Sequence, residues 1–301
     1  MKKGFTLIEM LVVIGIIGLL MSVLVVYVTG GSESARAAQC LTNLANLARG
    51  CTQYGSVSGR YPLAGSIEQM TFNSTAGIRN ARESYSERPG WVSWASMGAY
   101  RSGASSHIAN GGWFTSAYDE DDRKREYCLT NGVLWKYVSA NASCYRCPCH
   151  TRKVEGKARP NWSYVMNSYF GWDDSNGQLA KDISDDGIWF ADLKRADRRL
   201  LFAEMKWEAW QGEPPDFSPS PGIEHDSVLQ YRSEDGGETI AWNHKSGRDK
   251  VAHVVFADGH VEKLALPKKG LSNSEARDLT TWLCQGKDVS FDGTTYREMK
   301  N

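Results

Sequence analysis

Residues that can bind a metal crowd into one short segment. Cys144, Cys147, Cys149 and His150 lie within seven positions. Thiolate and imidazole groups are the usual ligands of structural zinc. Four ligands so close in sequence rarely surround a tetrahedral ion without a second pair from elsewhere. Oxidation to disulfides is the alternative chemistry, with Cys128 as the expected partner of one clustered cysteine. The chain has seven cysteines, so at least one of them lies outside any intrachain pair.

A second candidate metal site is an acidic segment. Its carboxylates fall within fourteen residues: Asp173, Asp174, Asp182, Asp185 and Asp186. Carboxylate oxygens bind calcium, but the spacing lacks the regular pattern and the closing Glu of a helix-loop-helix calcium site. A solvated acidic loop is the favoured interpretation, and calcium is the one cofactor that the sequence leaves open.

One acidic residue lies inside an apolar run. Between residues 5 and 28 the only charged side chain is Glu9, and as a helix this run is roughly 36 Å long, enough to cross a bilayer. Lys2 and Lys3 precede it, which predicts a cytoplasmic N-terminus and one membrane crossing. The rest of the chain is then exported into a compartment where disulfides persist, and this favours disulfides over zinc.

The carboxylate of Glu9 distinguishes this run from a secretory leader or a plain anchor. A charge at the centre of a membrane helix costs about 2.5–3.5 kcal/mol, and the run is longer than the roughly 7–15 residues of a leader. Neither a leader nor a plain anchor has a reason to carry this cost.

The first nine residues resemble a known processing signature. Lys2 to Glu9, read Lys-Lys-Gly-Phe-Thr-Leu-Ile-Glu, look like the N-terminus of type IV prepilins and type II secretion pseudopilins. The resemblance implies cleavage by prepilin peptidase after Gly4, methylation of Phe5, and pairing of Glu9 with the N-terminal amine of a neighbouring subunit. Pairing with this amine makes Glu9 an assembly residue, because a cationic partner that is present only in the correct register turns the cost of the carboxylate into a device for specificity. The resemblance also implies that the membrane is the bacterial inner membrane and that the exported part is periplasmic or extracytoplasmic. It further implies three partners besides the peptidase and membrane lipid: other pilin-like subunits, an inner-membrane platform protein and a cytoplasmic assembly ATPase.

The helix is expected to continue beyond the membrane. Apolar residues recur at three- and four-residue spacing up to Cys51, and Gly50 occupies a C-cap position. The chain then divides into a leader (1–4), a transmembrane half-helix (5–28), an exported half-helix (29–50) and a globular domain (51–301). The predicted fold class is α/β and pilin-like, with the long helix packed on a mainly antiparallel sheet. Cys40 and Cys51 would lie about 16 Å apart on one helix, too far for a disulfide.

A hairpin is predicted at residues 251–266. Alternating residues flank Asp258 and Gly259, which indicate a two-residue turn. This pairing places Ala252, Val254, Phe256 and Val261 on a core face, and His253, Val255, His260, Glu262 and Leu264 on a polar face. The polar face is favoured over a metal or acid-base site. At the C-terminal end of the chain, Ser272 and Glu275 predict a capping box that opens a helix.

The hairpin carries a second resemblance. His244 and the Asp258-Gly259 pair look like the C-terminal H-X9-DG motif of bacterial prepilin-like proteins. Thirteen residues separate His244 from Asp258 here, four more than in that motif, so a fixed distance between them is not expected. His244, Asp258 and Gly259 are predicted to be structural.

These observations favour a structural subunit of a type II secretion pseudopilus or a type IV pilus-like filament. Nucleotide-binding loops and the serine nucleophile motif are missing from the sequence, which argues against an enzyme. The 35 basic and 35 acidic residues balance, which argues against nucleic acid as a partner. The alternative is a membrane-tethered module that does not polymerise and binds glycan or cargo through Trp91, Trp94 and Trp113.

Overall fold

The computed structural model describes most of the two ends of the chain and parts of its middle. The described residues are 7–64, 90–92, 129–130, 132–149, 162–171, 188–204, 228–229, 231 and 239–299. Gly4, Phe5, Cys128, His150 and the five aspartates of the acidic segment lie outside them, as do Trp94 and Trp113.

A long N-terminal helix, α1, runs from Leu7 to Ser58. The predicted end at Gly50 is wrong, because this glycine lies inside the helix and a Cβ there would meet Val138 at 3.1 Å. Close packing therefore accounts for Gly50. The left-handed residue comes later, at Gly59 with φ +76°, immediately after the helix. In the part of the chain that the structure describes, no helix combines the length and the apolarity needed to cross a membrane.

Six strands form one mixed sheet. They are β1 (Tyr164–Asn167), β2 (Leu200–Glu204), β3 (Val228–Leu229), β4 (His244–Ser246), β5 (Asp249–Phe256) and β6 (Val261–Ala265). β3 pairs in parallel with β1, whereas the other pairings are antiparallel. The body is thus sheet-rich, as predicted, and its sheet is mixed.

Helices cover both faces of the sheet. The C-terminal part of α1 packs on one face, where Cys40, Leu44 and Leu47 are fully buried. The other face carries α2 (Asn273–Cys284), whose Leu279 and Leu283 join the same core. Burial on both faces explains why β1 and β2 are buried at every position.

The capping box of α2 is confirmed. The Ser272 hydroxyl accepts the backbone N–H of Glu275, and the Glu275 carboxylate accepts the backbone N–H of Ser272. A short hairpin of β7 (Val289–Phe291) and β8 (Tyr296–Glu298) follows this helix.

The hairpin of β5 and β6 is present, but the predicted faces of β6 are wrong. Val255 pairs with Val261 and Ala252 with Leu264, so three residues, Ala257 to Gly259, form the loop instead of two. Gly259 adopts φ +92°, as the last residue of such a three-residue loop requires. One extra loop residue reverses the faces of the whole second strand.

This register predicts opposite costs for two truncations in β6. Leu264 is 6% exposed and Val261 is 36% exposed. Leu264→Ala is expected to lower the free energy of unfolding by about 2–4 kcal/mol, because it leaves a cavity in the core. Val261→Ala is expected to cost less than about 0.5 kcal/mol. Denaturant unfolding of the detergent-solubilised chain measures both costs. A larger cost for Val261→Ala than for Leu264→Ala would contradict this register and support the predicted two-residue turn.

Candidate functional site

The N-terminal processing segment lies at the edge of the described chain. Glu9 is in the first turn of α1 with an exposed side chain. The large apolar side chains on either side of it are exposed as well, from Leu7 at 83% through Ile14 at 64% to Met21 at 57%. The described part of the domain does not cover this end of the helix.

A cluster of polar side chains lies at the opposite end of α1, between the helix and the sheet. It consists of six residues, here named the seam cluster: Cys40, Cys147, Cys149, Glu204, His244 and His253. Cys40 and Glu204 have no exposed surface, His244 and His253 are 1% exposed, and Cys149 is 6% exposed. The cluster is therefore part of the core.

Strand register brings the carboxylate and the two imidazoles together. β2 and β4 lie along the same edge of β5, because β6 occupies the other edge. Ala203 pairs with Val254, so Glu204 at the end of β2 lies beside His253, and His244 pairs with Val251 two residues away. All three side chains project from the face that α1 covers.

The thiols come from two other segments. Cys40 is on the buried stripe of α1. Cys147 and Cys149 follow a short 3-10 helix (Ala142–Tyr145) that is tied to α1 by Asn43, whose amide donates to the carbonyls of Ser143 and Arg146 at 3.0 and 2.9 Å. This tie holds the thiols beside the helix.

Glu204 and His244 form a buried ion pair at the centre of the cluster. His244 Nε2 lies 2.7 Å from Glu204 Oε1. Burial alone would lower the pKa of His244, but its contacts with Cys147, Cys149 and Glu204 raise that pKa to about 12. Burial would raise the pKa of Glu204, but the hydrogen bond from His244 and its charge hold that pKa below its usual range. The pair is ionised at neutral pH.

The thiols surround this pair in their protonated form. Cys40 Sγ donates to Glu204 Oε1 at 3.0 Å, and burial raises the pKa of Cys40 to about 12. Cys147 Sγ lies 3.6 Å from His244 Nε2. Burial raises the pKa of Cys147, and a hydrogen bond with Cys147 together with burial raises that of Cys149. Without a cation these thiols carry no charge at neutral pH.

His253 completes the cluster as a neutral ring. It stacks on His244 with the ring centroids 3.9 Å apart. Burial lowers its pKa to about 4, and neither ring nitrogen has a hydrogen-bond partner in the described structure. The prediction that His253 lies on a polar sheet face with His260 and Glu262 is therefore wrong.

Other predicted pairs of site residues are not joined in the part of the chain that the structure describes. No disulfide joins any two of the six cysteines that the structure describes. The predicted bond of Cys128 with Cys144, Cys147 or Cys149 stays a prediction, because Cys128 lies outside the described residues. His244 and Asp258 lie toward opposite ends of β5, and Asp258 bonds instead with His260 at 2.6 Å at the surface.

Trp91 is a core residue and not a binding aromatic. It has no exposed surface and stacks on Tyr145 with ring centroids 5.7 Å apart. It also meets Phe202 edge to face at 4.9 Å between centroids. The buried ring leaves no face for a glycan.

The sequence analysis missed Cys40 as a cluster member and missed Glu204 altogether. One signal was available for Glu204, since it ends the apolar run Leu-Leu-Phe-Ala-Glu, where a buried strand is followed by a charge. Cys40 lies on an apolar helical stripe, where a small buried thiol is ordinary.

Comparison with known proteins identifies the N-terminal segment alone. The family model for the prokaryotic N-terminal methylation motif matches residues 1–25. No curated protein and no solved structure matches the chain.

The chain contains a buried and an exposed carboxylate-histidine pair, and comparing them tests whether the buried pair is ionised. Glu204→Gln removes the counter-charge of fully buried His244 and is expected to lower the free energy of unfolding by about 3–5 kcal/mol. Asp258→Asn breaks the surface pair with His260, in which the side chains are 38% and 44% exposed, and is expected to cost less than about 1 kcal/mol. Denaturant unfolding compares them, and similar small losses would contradict a buried ion pair.

Proposed function

We propose that this chain is a structural pilin-like subunit, processed by prepilin peptidase and assembled through α1 into a type II secretion pseudopilus or type IV pilus-like filament. The methylation motif at residues 1–25 carries the proposal. In this proposal Gly4 and Phe5 lie on the two sides of the cleaved bond, and Glu9 is the fifth residue of the mature chain.

The shape of α1 supports this role. Its N-terminal residues are apolar on every side and exposed, whereas its residues from Ala37 to Cys51 present one buried stripe to the domain. A helix that is apolar all round is stable only inside a membrane or among other helices. Membrane lipid before assembly and neighbouring subunits after it are surroundings that fit this end.

Glu9 gives the assembly its register. A carboxylate surrounded by apolar side chains is costly unless a cation meets it. Cleavage after Gly4 creates a new amine on Phe5, and in a staggered stack of helices the amine of one subunit can lie beside Glu9 of the next. The carboxylate then favours one stagger over its neighbours.

The exported domain has a structural role in this proposal. Its described residues are held by a closed core, with the seam cluster inside it. Force for assembly comes from a cytoplasmic ATPase acting through an inner-membrane platform protein. The domain is carried on the outside of the filament, with the N-terminus starting on the cytoplasmic side.

Processing predicts the mass of the N-terminal peptide. In native membranes the mature chain is expected to begin at Phe5 and to carry one added methyl group. Gly4→Val is expected to leave Met1 in place and Phe5 unmethylated, because a branched side chain blocks the cleaved bond, whereas Lys3→Arg is expected to be processed normally. Mass spectrometry of the N-terminal peptide distinguishes a chain that begins at methylated Phe5 from one that begins at Met1. An intact Met1 in the wild type would contradict the proposal.

Assembly predicts a specific effect of Glu9. Glu9→Leu is expected to insert into membranes at wild-type levels and to be lost from sheared filaments or from crosslinked oligomers by at least about tenfold, because a lost buried ion pair costs several kcal/mol. Glu33→Gln is the control, since Glu33 is on the same helix but beyond the apolar run. Unchanged assembly of Glu9→Leu would rule out the role given to this carboxylate.

A further inference from the structure

The seam cluster contains more metal ligands than a protein core normally holds. Three thiols, two imidazoles and one carboxylate meet in one buried volume. The ligand atoms of Cys147, Cys149 and His244 lie within 4.8 Å of one another, and so do those of Cys40, Glu204, His244 and His253. His244 belongs to both sets and joins them.

We propose that the seam cluster is a structural zinc site in which Cys40, Cys147, Cys149 and His244 bind one ion. Three thiolates and one imidazole are an established ligand set for structural zinc. Nothing in the proposal depends on filament assembly, so either proposal can fail without the other.

One distance between two proposed ligands matches a tetrahedral ion. Zinc bonds of about 2.3 Å to sulfur and about 2.0 Å to nitrogen place neighbouring sulfur and nitrogen ligands about 3.5 Å apart. Cys147 Sγ and His244 Nε2 are 3.6 Å apart. Hydrogen-bond contacts also join Cys40 to Cys147, Cys147 to Cys149, and His244 to Cys149. Cys40 and the pair of Cys147 and Cys149 belong to different sets that share His244, so one ion is enclosed only when side-chain movements bring these sulfurs together.

Sequence position supports the same set. Cys147 and Cys149 provide two ligands from one short segment, but such a pair needs further ligands from elsewhere in the chain. The fold supplies them from α1 and from β4. The ion would thus join three segments that are distant in sequence, and its closed, buried surroundings leave no position for a substrate.

Two polar side chains of the cluster remain outside the proposed ligand set. Once zinc takes Nε2 of His244 and Sγ of Cys40, Glu204 loses the hydrogen bonds that both groups make to its Oε1. Its ligand atom lies within 4.8 Å of that of His253, whose two ring nitrogens have no hydrogen-bond partner in the described structure. A hydrogen bond between these residues would satisfy one nitrogen of His253 and one oxygen of Glu204. Glu204 then supports the site from outside the ligand shell.

Cys40 is a better fourth ligand than Glu204. Its sulfur makes a hydrogen-bond contact with that of Cys147 and lies within 4.8 Å of the ligand atom of His244, so it contacts two of the other three ligands. Thiolate is also the softer donor and forms zinc bonds together with the other sulfurs.

Metal content of the purified chain is the first test. The full-length protein, extracted from membranes in detergent, is expected to contain about one zinc per chain by elemental mass spectrometry. Cys147→Ser and Cys149→Ser are expected to reduce this at least tenfold. Cys51→Ser and Cys284→Ser are matched controls, because both cysteines are buried outside the cluster, and they are expected to retain zinc. No zinc in the wild type, or equal loss in the controls, would overturn the proposal.

Cobalt binding to the wild-type chain tests the ligands even if the cysteine variants unfold. After removal of metal by a chelator, one equivalent of Co²⁺ is expected to produce an intense thiolate-to-cobalt absorption band that Zn²⁺ abolishes. Cys40→Ser should weaken the band by about one third, since three thiolates become two. Glu204→Gln should bind cobalt more weakly, because it removes a supporting group, but at saturating Co²⁺ it should keep the full intensity of the band, because it removes no thiolate.

Three results would contradict the assignment. Absence of the band would exclude a thiolate site. Loss of the band in Glu204→Gln but not in Cys40→Ser would overturn Cys40 as the fourth ligand. A disulfide from Cys40, Cys147 or Cys149 in the untreated protein, found by peptide mass spectrometry without reduction, would show that these thiols are oxidised and not metal-bound.

Discussion

The attachment of α1 to the sheet depends on a polar contact that water cannot replace. Glu204 and His244 form a 2.7 Å ion pair with no exposed surface on either side chain, and Cys40 of the helix donates to the same carboxylate oxygen. A mismatch here leaves a buried charge without its partner, which costs far more than the loss of an apolar contact. Apolar packing alone tolerates small slips of a helix on a sheet, whereas this contact does not, and neither would the zinc ion that we propose to take its place between Cys40 and His244.

This contact fixes both the translation of α1 along its axis and its rotation about that axis. One residue of slippage moves Cys40 by about 1.5 Å along the helix and rotates it by about 100°, away from the cluster. The amide of Asn43, one turn later, holds the loop that carries Cys147 and Cys149. In a filament built through the N-terminal half of α1, the same contact would set the orientation of every exported domain relative to the filament core.

Local signals in the sequence predicted the elements that depend on neighbouring residues. The capping box at Ser272 and Glu275 needs only four consecutive positions, and it is present as predicted. The hairpin was placed correctly, but its register was wrong, because Asp258-Gly259 fits both a two-residue and a three-residue loop. The choice is made by burial of Leu264 in the core, which is a tertiary effect. Gly50 was misinterpreted for a similar reason, since its contact with Val138 comes from a segment 88 positions away.

The cluster itself was beyond local patterns, and its chemistry changes the interpretation of the cysteines. Export favours disulfides only for thiols that ionise, because the thiolate is the species that is oxidised. Burial raises the pKa of Cys40, Cys51 and Cys147, so little thiolate forms at neutral pH. An oxidising compartment is therefore compatible with reduced cysteines in this core. A bound cation would hold the thiolates of the seam cluster in a closed coordination shell, so export and a thiol-rich core do not contradict each other.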